Sequence, residues 1–240
     1  MSSATVIWNF PWGRVSIGSM NLKTDPLSIW EQRFESHLQK MAGGGAQQAD
    51  SAHDILHFRR VVATAKRLAK GENGNLEIVI PAAWLHDFVI VPKNDPRRSQ
   101  ASRLSAQAAL EFLKLSGFPE TYFDEIAHAI EAHSFSAGVE AKTLEAKIVQ
   151  DADRLDGLGA IGIARCFATA GLMGRAFYCE DDPFCEAREP NDQEFTIDHF
   201  YKKLFKTAET LQTRSGREEG LRRVAVMQQY LKDLALEVKA

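Results

Sequence analysis

The sequence predicts an all-α protein built as one domain, and three observations support this prediction. Apolar residues recur at intervals of three and four in almost every segment, which is the spacing of helices with one buried face. Glycine and proline clusters fall between these segments, where helices end. The chain of 240 residues is 45% hydrophobic and 25% charged, which is ordinary for a globular domain that buries its own core.

The helices can be placed in order from this spacing and from their end signals. Asp25 and Pro26 suit the cap and first turn of the first helix, and Gly43 to Gly45 end it. Residues 78–80 alone would suit a strand, but Pro81 and the Ala-Ala-Trp-Leu that follows favour a buried helix. The predicted helices span residues 25–42, 53–70, 78–87, 99–115, 119–133, 143–158, a segment that ends near 172, 196–213 and 216–238.

Two segments stand outside this helical pattern. Residues 174–194 are rich in Gly, Pro, Asp and Cys, which predicts a long loop of the kind that covers a site. Residues 1–19 are interpreted as a disordered or over-extended N-terminus, because their apolar run is broken by Asn9 and Pro11 and lacks signal-peptide features. The predicted domain therefore covers 20–240, with a core at 50–175 and C-terminal helices at 196–238.

Composition narrows the location and partners of the protein. A net charge of -3 gives no drive toward nucleic acid or an anionic membrane, and no apolar run is long enough to span a bilayer. The three cysteines lack metal-finger spacing, and their low, odd count is typical of a reducing compartment. We therefore expect a cytoplasmic protein that binds neither nucleic acid nor membranes. A homodimer is a further alternative.

Histidines and aspartates recur on three separate predicted helices. His57 lies at the edge of the apolar stripe of one helix, His86 and Asp87 end a buried run, and Asp151, Asp153 and Asp156 crowd a later helix. Two imidazoles and two carboxylates suit a divalent ion that activates water.

The residues alone leave alternatives open at each position. His53 competes with His57 as a ligand, and either could be a surface histidine, whereas Asp54 could accept a hydrogen bond from His57 and orient it. Adjacent side chains diverge by about 100° on a helix, so His86 and Asp87 converge only at a helix end. Asp151 lies nearer the apolar stripe than Asp153, so periodicity does not choose between them.

Taken together and in order, these motifs resemble the HD-domain metal-dependent phosphohydrolases over most of residues 50–175. The resemblance implies an all-α helical bundle with the metal among its central helices. It assigns the metal ligands to His57, His86, Asp87 and Asp153, with Asp87 also catalytic. The implied ion is Mn²⁺ or Mg²⁺, with Fe, Co, Ni or Zn as alternatives.

Further residues are assigned to the substrate. His133 continues an inward stripe and is expected to contact phosphate or transfer a proton, whereas His128 is expected to be structural. Basic residues near the motifs are expected to bind phosphates. These are Arg60, Lys93, Arg97 and Arg98.

The sequence after the His-Asp pair narrows the substrate. Phe88-Val89-Ile90-Val91 stands where guanosine-tetraphosphate hydrolases and single-metal deoxynucleotidases carry carboxylates, and where cyclic-dinucleotide esterases carry Gly-Lys. The motif set instead resembles a compact bacterial branch that includes nucleoside triphosphate pyrophosphohydrolases. We therefore expect a (deoxy)nucleoside triphosphate pyrophosphohydrolase. The alternatives are another nucleotide phosphoesterase, for monophosphates or cyclic nucleotides, and a regulatory domain that binds a nucleotide without turnover.

Overall fold

The computed structural model describes residues 26–43, 54–91 and 95–238, and within them the predicted all-α fold is confirmed. The predicted N-terminal segment 1–19, His53 and Lys93 lie outside the described residues. The helices are α1 Pro26–Gly43, α2 Ile55–Glu72, α3 Leu76–Leu85, α4 Ala101–Ser116, α5 Phe123–His133, α6 Leu144–Asp156, α7 Gly159–Leu172, α8 Phe205–Glu209 and α9 Arg214–Val238.

The helix ends follow local capping chemistry. Asp54 caps α2, because its side chain accepts a hydrogen bond from the His57 backbone N–H. Thr143 caps α6 in the same way through the Ala146 N–H. Helix α2 ends at Glu72, and Asn73 follows it in the left-handed conformation with φ of 60°.

The bundle is organised around α3. Every residue of α3 from Ile78 to Leu85 is buried, because α1, α2, α5 and α6 all pack against it. Pro81 lies within this helix, as the sequence predicted. A helix that is apolar on all sides belongs at the centre of a bundle, and the end of α3 therefore delivers His86 and Asp87 to the middle of the molecule.

The predicted loop at 174–194 is confirmed as an irregular segment with turns, anchored at both ends. The backbone of Ala176 pairs with Phe195 in an isolated parallel bridge. Arg188 forms an ion pair with the fully buried Asp198, with Nη2 2.8 Å from Oδ1. The loop is thus held to the bundle by a buried charge pair, and its action as a cover remains a prediction.

The helix predicted at about 196–213 is present over a shorter range, since residues 198–209 are helical. This range includes a π-helical stretch Phe200–Leu204 that runs into the short α8. Its start is tied to the loop, since the Thr196 N–H donates to the Ala176 carbonyl. Its end is tied to α6, since the backbone N–H groups of Gln212 and Thr213 donate to the Asp151 carboxylate. These long-range bonds occupy the backbone groups that a longer helix would use.

Among the described helices, none by itself is both long and apolar enough to cross a membrane. Helices α6 and α7 pass that test of length and composition only as a pair, and they are bent by 60° at their junction.

Candidate metal centre

Four side chains converge where α2, α6 and the turn after α3 meet. His57 and His86 are buried, whereas Asp87 and Asp153 are partly exposed. The two Nε2 atoms are 3.3 Å apart. Asp153 Oδ1 lies 3.6 Å from His57 Nε2 and 3.8 Å from His86 Nε2, and Asp87 Oδ2 lies 3.7 Å from His86 Nε2. All four residues that the sequence predicted as ligands are therefore brought together.

The orientation of His57 is fixed from behind by Asp156. His57 Nδ1 lies 2.8 Å from Asp156 Oδ2, so the hydrogen bond places the proton on Nδ1 and leaves a lone pair on Nε2. The orienting role that the sequence suggested for Asp54 is wrong, because Asp54 caps α2 and Asp156 accepts the imidazole hydrogen bond. A carboxylate behind a metal-binding histidine is a common arrangement that fixes the ring and raises its basicity.

Asp156 is itself held by two arginines. Arg60 donates to both of its carboxylate oxygens, from Nε at 2.7 Å and Nη2 at 3.0 Å, and Arg165 Nη1 donates to Oδ2. Burial works to raise the pKa of Asp156, but the hydrogen bonds from His57 and Arg60 hold it well below its usual range. Asp156 therefore stays ionised behind His57.

His86 is held by a backbone carbonyl and by burial, and not by a carboxylate. Its Nδ1 donates to the Ala83 carbonyl at 2.8 Å, which again leaves the lone pair on Nε2. Burial lowers the pKa of His86 to about 4, so the ring is neutral at physiological pH in the metal-free protein. The Nε2 atoms of the two buried imidazoles thus face one another, an arrangement that a cation between them would stabilise.

The distances fit a single ion. Ligand atoms that share an ion at about 2.1 Å lie about 3.0 Å apart when adjacent and about 4.2 Å apart when opposite. The four separations of 3.3, 3.6, 3.7 and 3.8 Å fall in that interval. The group whose ligand atoms all lie within 4.8 Å of one another consists of His57, His86 and Asp87, and Asp153 lies beside its two imidazoles. Mixed imidazole and carboxylate ligands suit Mn, Fe, Co, Ni or Zn. The chemistry and spacing of the donor set therefore fit a divalent metal.

His86 and Asp87 converge because they lie just beyond the end of α3. The helix ends at Leu85, and a turn closed by the Phe88 N–H on the Leu85 carbonyl follows it. In this turn both side chains contribute a ligand atom to one group with His57, with all three atoms within 4.8 Å of one another. The end of α3 thus allows the adjacent side chains of His86 and Asp87 to converge, as expected from the sequence.

Asp151 and Asp153 have separate tasks, which periodicity could not distinguish. Asp151 is fully buried and faces the start of α9, where it accepts hydrogen bonds from the Thr213 N–H at 2.8 Å and the Thr213 hydroxyl at 2.7 Å. Asp153 is 29% exposed and faces the two histidines. Its lower burial is what a ligand beside an accessible site requires.

His133 joins the cluster, and His128 does not. His133 Nε2 lies 3.4 Å from Asp87 Oδ1, and its Nδ1 donates to the Ile130 carbonyl at 2.6 Å. Burial works to lower the pKa of His133, but the adjacent Asp87 outweighs it, and the pKa is raised above its ordinary value. His128 Nε2 instead accepts the Lys142 N–H at 3.0 Å, in keeping with the structural role expected for it.

The predicted phosphate-binding arginines have local partners. Arg60 is bound to Asp156, as described above. Arg97 is exposed and pairs with Asp95, at 2.9 Å from Nη2 to Oδ2. Arg98 Nη1 donates to the Val91 carbonyl at 2.7 Å. The binding roles of Arg60, Arg97 and Arg98 remain predictions.

Sequence reasoning did not assign Asp156 or Arg165 a role. A signal for Asp156 was present, because it lies one helical turn after Asp153 and could share its face. Arg165 gave no such signal, since it lies on a different helix and meets Asp156 only through the fold.

Comparison with known proteins places this site in a family. A model of the HD domain matches residues 55–158, a range that contains all four converging residues. The Bacillus subtilis protein YpgQ is 31% identical over 192 residues, which span 78% of this chain and 85% of YpgQ. The solved structure of YpgQ in complex with ADP is similar with a TM-score of 0.66, over 86% of this chain and 97% of that chain.

A solved structure from Bacillus thuringiensis, described as an HD-superfamily hydrolase, has a TM-score of 0.69. It is 29% identical and covers 89% of this chain and 98% of that chain. The domain match and the YpgQ identity agree with the ligand geometry built from the residues. The chain belongs to the HD-domain superfamily of hydrolases.

Proposed function

We propose that the protein is a metal-dependent phosphohydrolase that acts on nucleotides, with (deoxy)nucleoside triphosphates as substrates and release of pyrophosphate. The observation that carries the hydrolase proposal is the pair of imidazole Nε2 atoms 3.3 Å apart, flanked by Asp87 and Asp153. His57, His86, Asp87 and Asp153 would hold the ion, for which Mn²⁺ or Mg²⁺ is the proposed identity. Such an ion, when bound, acts as a Lewis acid toward phosphoryl oxygens and makes water nucleophilic at neutral pH.

The residues around this site would orient the ligands and act on the phosphoryl group. Asp156 holds His57 in the tautomer that presents Nε2 to the site, and Arg60 and Arg165 hold Asp156. The carboxylate of Asp87 raises the pKa of His133 above its ordinary value, which favours the protonated imidazole. A protonated His133 would neutralise charge on a phosphoryl group or protonate the departing oxygen, with Asp87 holding the imidazole in place.

Two observations support a nucleotide triphosphate as the substrate. The homologue YpgQ has been crystallised with ADP, which favours a nucleotide ligand for this chain as well. The segment after the His-Asp pair carries Lys93, Arg97 and Arg98, of which Arg97 pairs with Asp95. Such a basic segment suits a polyphosphate better than a monophosphate. The cytoplasmic location and the homodimer alternative remain predictions.

A substrate panel tests this proposal. The purified protein with Mn²⁺ is assayed against nucleoside mono-, di- and triphosphates and cyclic nucleotides, with phosphate and pyrophosphate measured separately. Pyrophosphate release from triphosphates is the expected result. Preferential hydrolysis of monophosphates or cyclic nucleotides would contradict the proposed substrate but would still support a phosphohydrolase. Nucleotide binding without turnover under any divalent metal would favour a regulatory domain.

A matched pair of lysine variants tests the polyphosphate part. Lys93→Ala is expected to raise KM or lower kcat for a triphosphate more than for a monophosphate ester, because less charge needs neutralisation on the ester. Lys114→Ala, on the exposed last turn of α4, is the control. Equal losses on both substrates for Lys93→Ala would indicate a structural role for this lysine.

A further inference from the structure

A cavity lies behind the metal centre, on the side of Asp156. It has a volume of about 310 Å³ and lies between α2, the start of α7 and α9. Its polar lining includes Arg60, Arg222, Arg223 and one face of Asp156. Its walls are completed by small and aliphatic residues, including Ala63, Leu158, Ala160, Ile161 and Val226.

Positive charge is in excess around this cavity. Arg60 and Arg165 bind Asp156, and Asp54 also lies near Arg60. On the other side, Glu219 Oε1 is approached by Arg67 at 3.5 Å, Arg222 at 2.8 Å and Arg223 at 2.7 Å. Five guanidinium groups in the described structure thus surround three carboxylates, in a chain whose net charge is -3. Arg165 and Arg223 also donate to the backbone carbonyls of Asp156 and Leu155, and the five guanidinium groups exceed the three carboxylates by two positive charges.

The start of α7 forms one wall of the cavity. The Arg223 side chain packs against the start of α7: a Cβ added at Gly159, where φ is +72°, would lie 3.1 Å from Arg223 Cγ. Helix α7 begins at Gly159 without a side-chain cap, and its first-turn residues Ala160 and Ile161 line the same cavity. Backbone N–H groups of a first helical turn therefore add to the field of the arginines.

The cavity and the metal centre lie on opposite sides of His57. The imidazole Nδ1 faces Asp156, which lines the cavity, whereas Nε2 faces His86 and Asp153. A molecule in the cavity is therefore separated from the ligand atoms by the ring and by the buried Asp156 carboxylate, which is 3% exposed.

We propose that this cavity is a second binding site for a small polyphosphate anion, distinct from the metal centre. Planar guanidinium groups bind phosphate oxygens in pairs, and Arg222, at 65% exposure, can reorient toward a ligand at little cost because exposed ion pairs are weak. The ligand is a separate molecule from the nucleotide that occupies the metal centre. It would lie beside Arg60 and Asp156, the residues that position His57.

The test measures pyrophosphate binding by titration calorimetry to the full-length, metal-free protein. Without an ion, the carboxylates of Asp87 and Asp153 repel pyrophosphate, and the cavity variants distinguish binding in the arginine cavity from binding to Lys93, Arg97 and Arg98. The main variant is Ala160→Glu, which places a carboxylate at the cavity mouth. A glutamate in the first turn of α7 favours the helix dipole, so the variant is expected to fold. Ala164→Glu, one turn later and outside the cavity lining, is the matched control.

A second pair uses the arginines of α9. Arg222→Gln removes one cavity charge, and Arg214→Gln, on the same helix but paired with Glu218, is its control. Wild type and both controls are expected to bind pyrophosphate with the same affinity. Ala160→Glu and Arg222→Gln are expected to bind it about tenfold or more weakly, in proportion to the loss of charge complementarity.

Three results would overturn the proposal. The first is that the wild-type protein fails to bind pyrophosphate without metal. The second is that the cavity variants bind pyrophosphate as tightly as their controls. The third is that Ala160→Glu raises the KM for the nucleotide in the Mn²⁺-loaded protein by the same factor by which it weakens pyrophosphate binding. That last result would make the cavity part of the substrate site. The calorimetric measurements do not depend on nucleotide hydrolysis. A failure of the cavity proposal can therefore be distinguished from a failure of the proposed function.

Discussion

The two neighbouring aspartates of α6 give a sharp test of the site. Asp153 lies 3.6 and 3.8 Å from the two ligand Nε2 atoms, whereas Asp151 is buried against the backbone of Gln212 and Thr213. We expect Asp153→Asn to abolish metal binding with little loss of stability. We expect Asp151→Asn to retain the metal and to destabilise the fold. The two substitutions make the same chemical change two residues apart.

The cost of Asp151→Asn follows from its hydrogen bonds. Its Oδ2 accepts from the Thr213 N–H and hydroxyl, and its Oδ1 accepts from the Gln212 N–H at 2.9 Å. An asparagine keeps one acceptor oxygen and turns an N–H₂ group toward another donor. Losing one hydrogen bond to a charged group costs about 1.5–3 kcal/mol, part of which is offset because burial already raises the pKa of Asp151. A net loss of about 2 kcal/mol lowers the Tm by about 4–8 °C in a chain of this size.

The loss at Asp153 concerns the metal. A neutral amide replaces a charged ligand, and the effect should exceed the roughly 10–100-fold drop in affinity typical of outer-shell partners. Its 29% exposure leaves the amide in contact with water, so the Tm of the metal-free protein should change little. Metal content by mass spectrometry and thermal unfolding, both measured on each variant, decide the matter. Loss of metal from Asp151→Asn with retention by Asp153→Asn would refute the reasoning.

Three further predictions concern the groups around the site. Asp156→Asn is expected to lower Mn²⁺ affinity about 10–100-fold, measured by calorimetry, because it frees the His57 ring; unchanged affinity would contradict its orienting role. His133→Gln is expected to retain the metal while kcat for nucleotide hydrolysis falls about 10²–10⁴-fold, and an unchanged kcat would remove His133 from the chemistry. Glu219, whose pKa is lowered to about 2 by hydrogen bonds from Arg222 and Arg223 despite partial burial, stabilises the fold above pH 4.5. That stabilisation is lost as the pH falls from 4.5 to 2, so the difference in unfolding free energy between wild type and Glu219→Gln should shrink over this window, and a constant difference would contradict it.

The order of motifs along the chain was enough to find the four converging residues. Each of His57, His86 and Asp87 was weak alone, and their joint sequence contexts carried the prediction. Helix periodicity could not show whether Asp151 or Asp153 is the metal ligand, because it indicates which side chain is buried and not which contacts bury it. Asp151 is buried by bonds to Thr213, a partner 62 residues away that local spacing cannot indicate.

The difference in helix extent has the same origin. The segment 196–213 has helical spacing, yet its ends are bound to Ala176 and to Asp151, so the helical part is shorter. Asp156 and Arg165 escaped assignment because their meeting depends on the packing of α7 against the end of α6. What the sequence could not supply was in each case a contact between elements distant along the chain.

The central claim is that His57, His86, Asp87 and Asp153 together hold one divalent ion that drives hydrolysis. Asp87→Ala tests it most directly, because Asp87 is partly exposed and its removal should leave the bundle folded. Metal content and nucleotide hydrolysis are measured on the same sample, with Asp124→Ala, in the exposed first turn of α5, as the control. We predict that Asp87→Ala loses metal and activity together while the control keeps both. A fully metallated and active Asp87→Ala protein would contradict the claim.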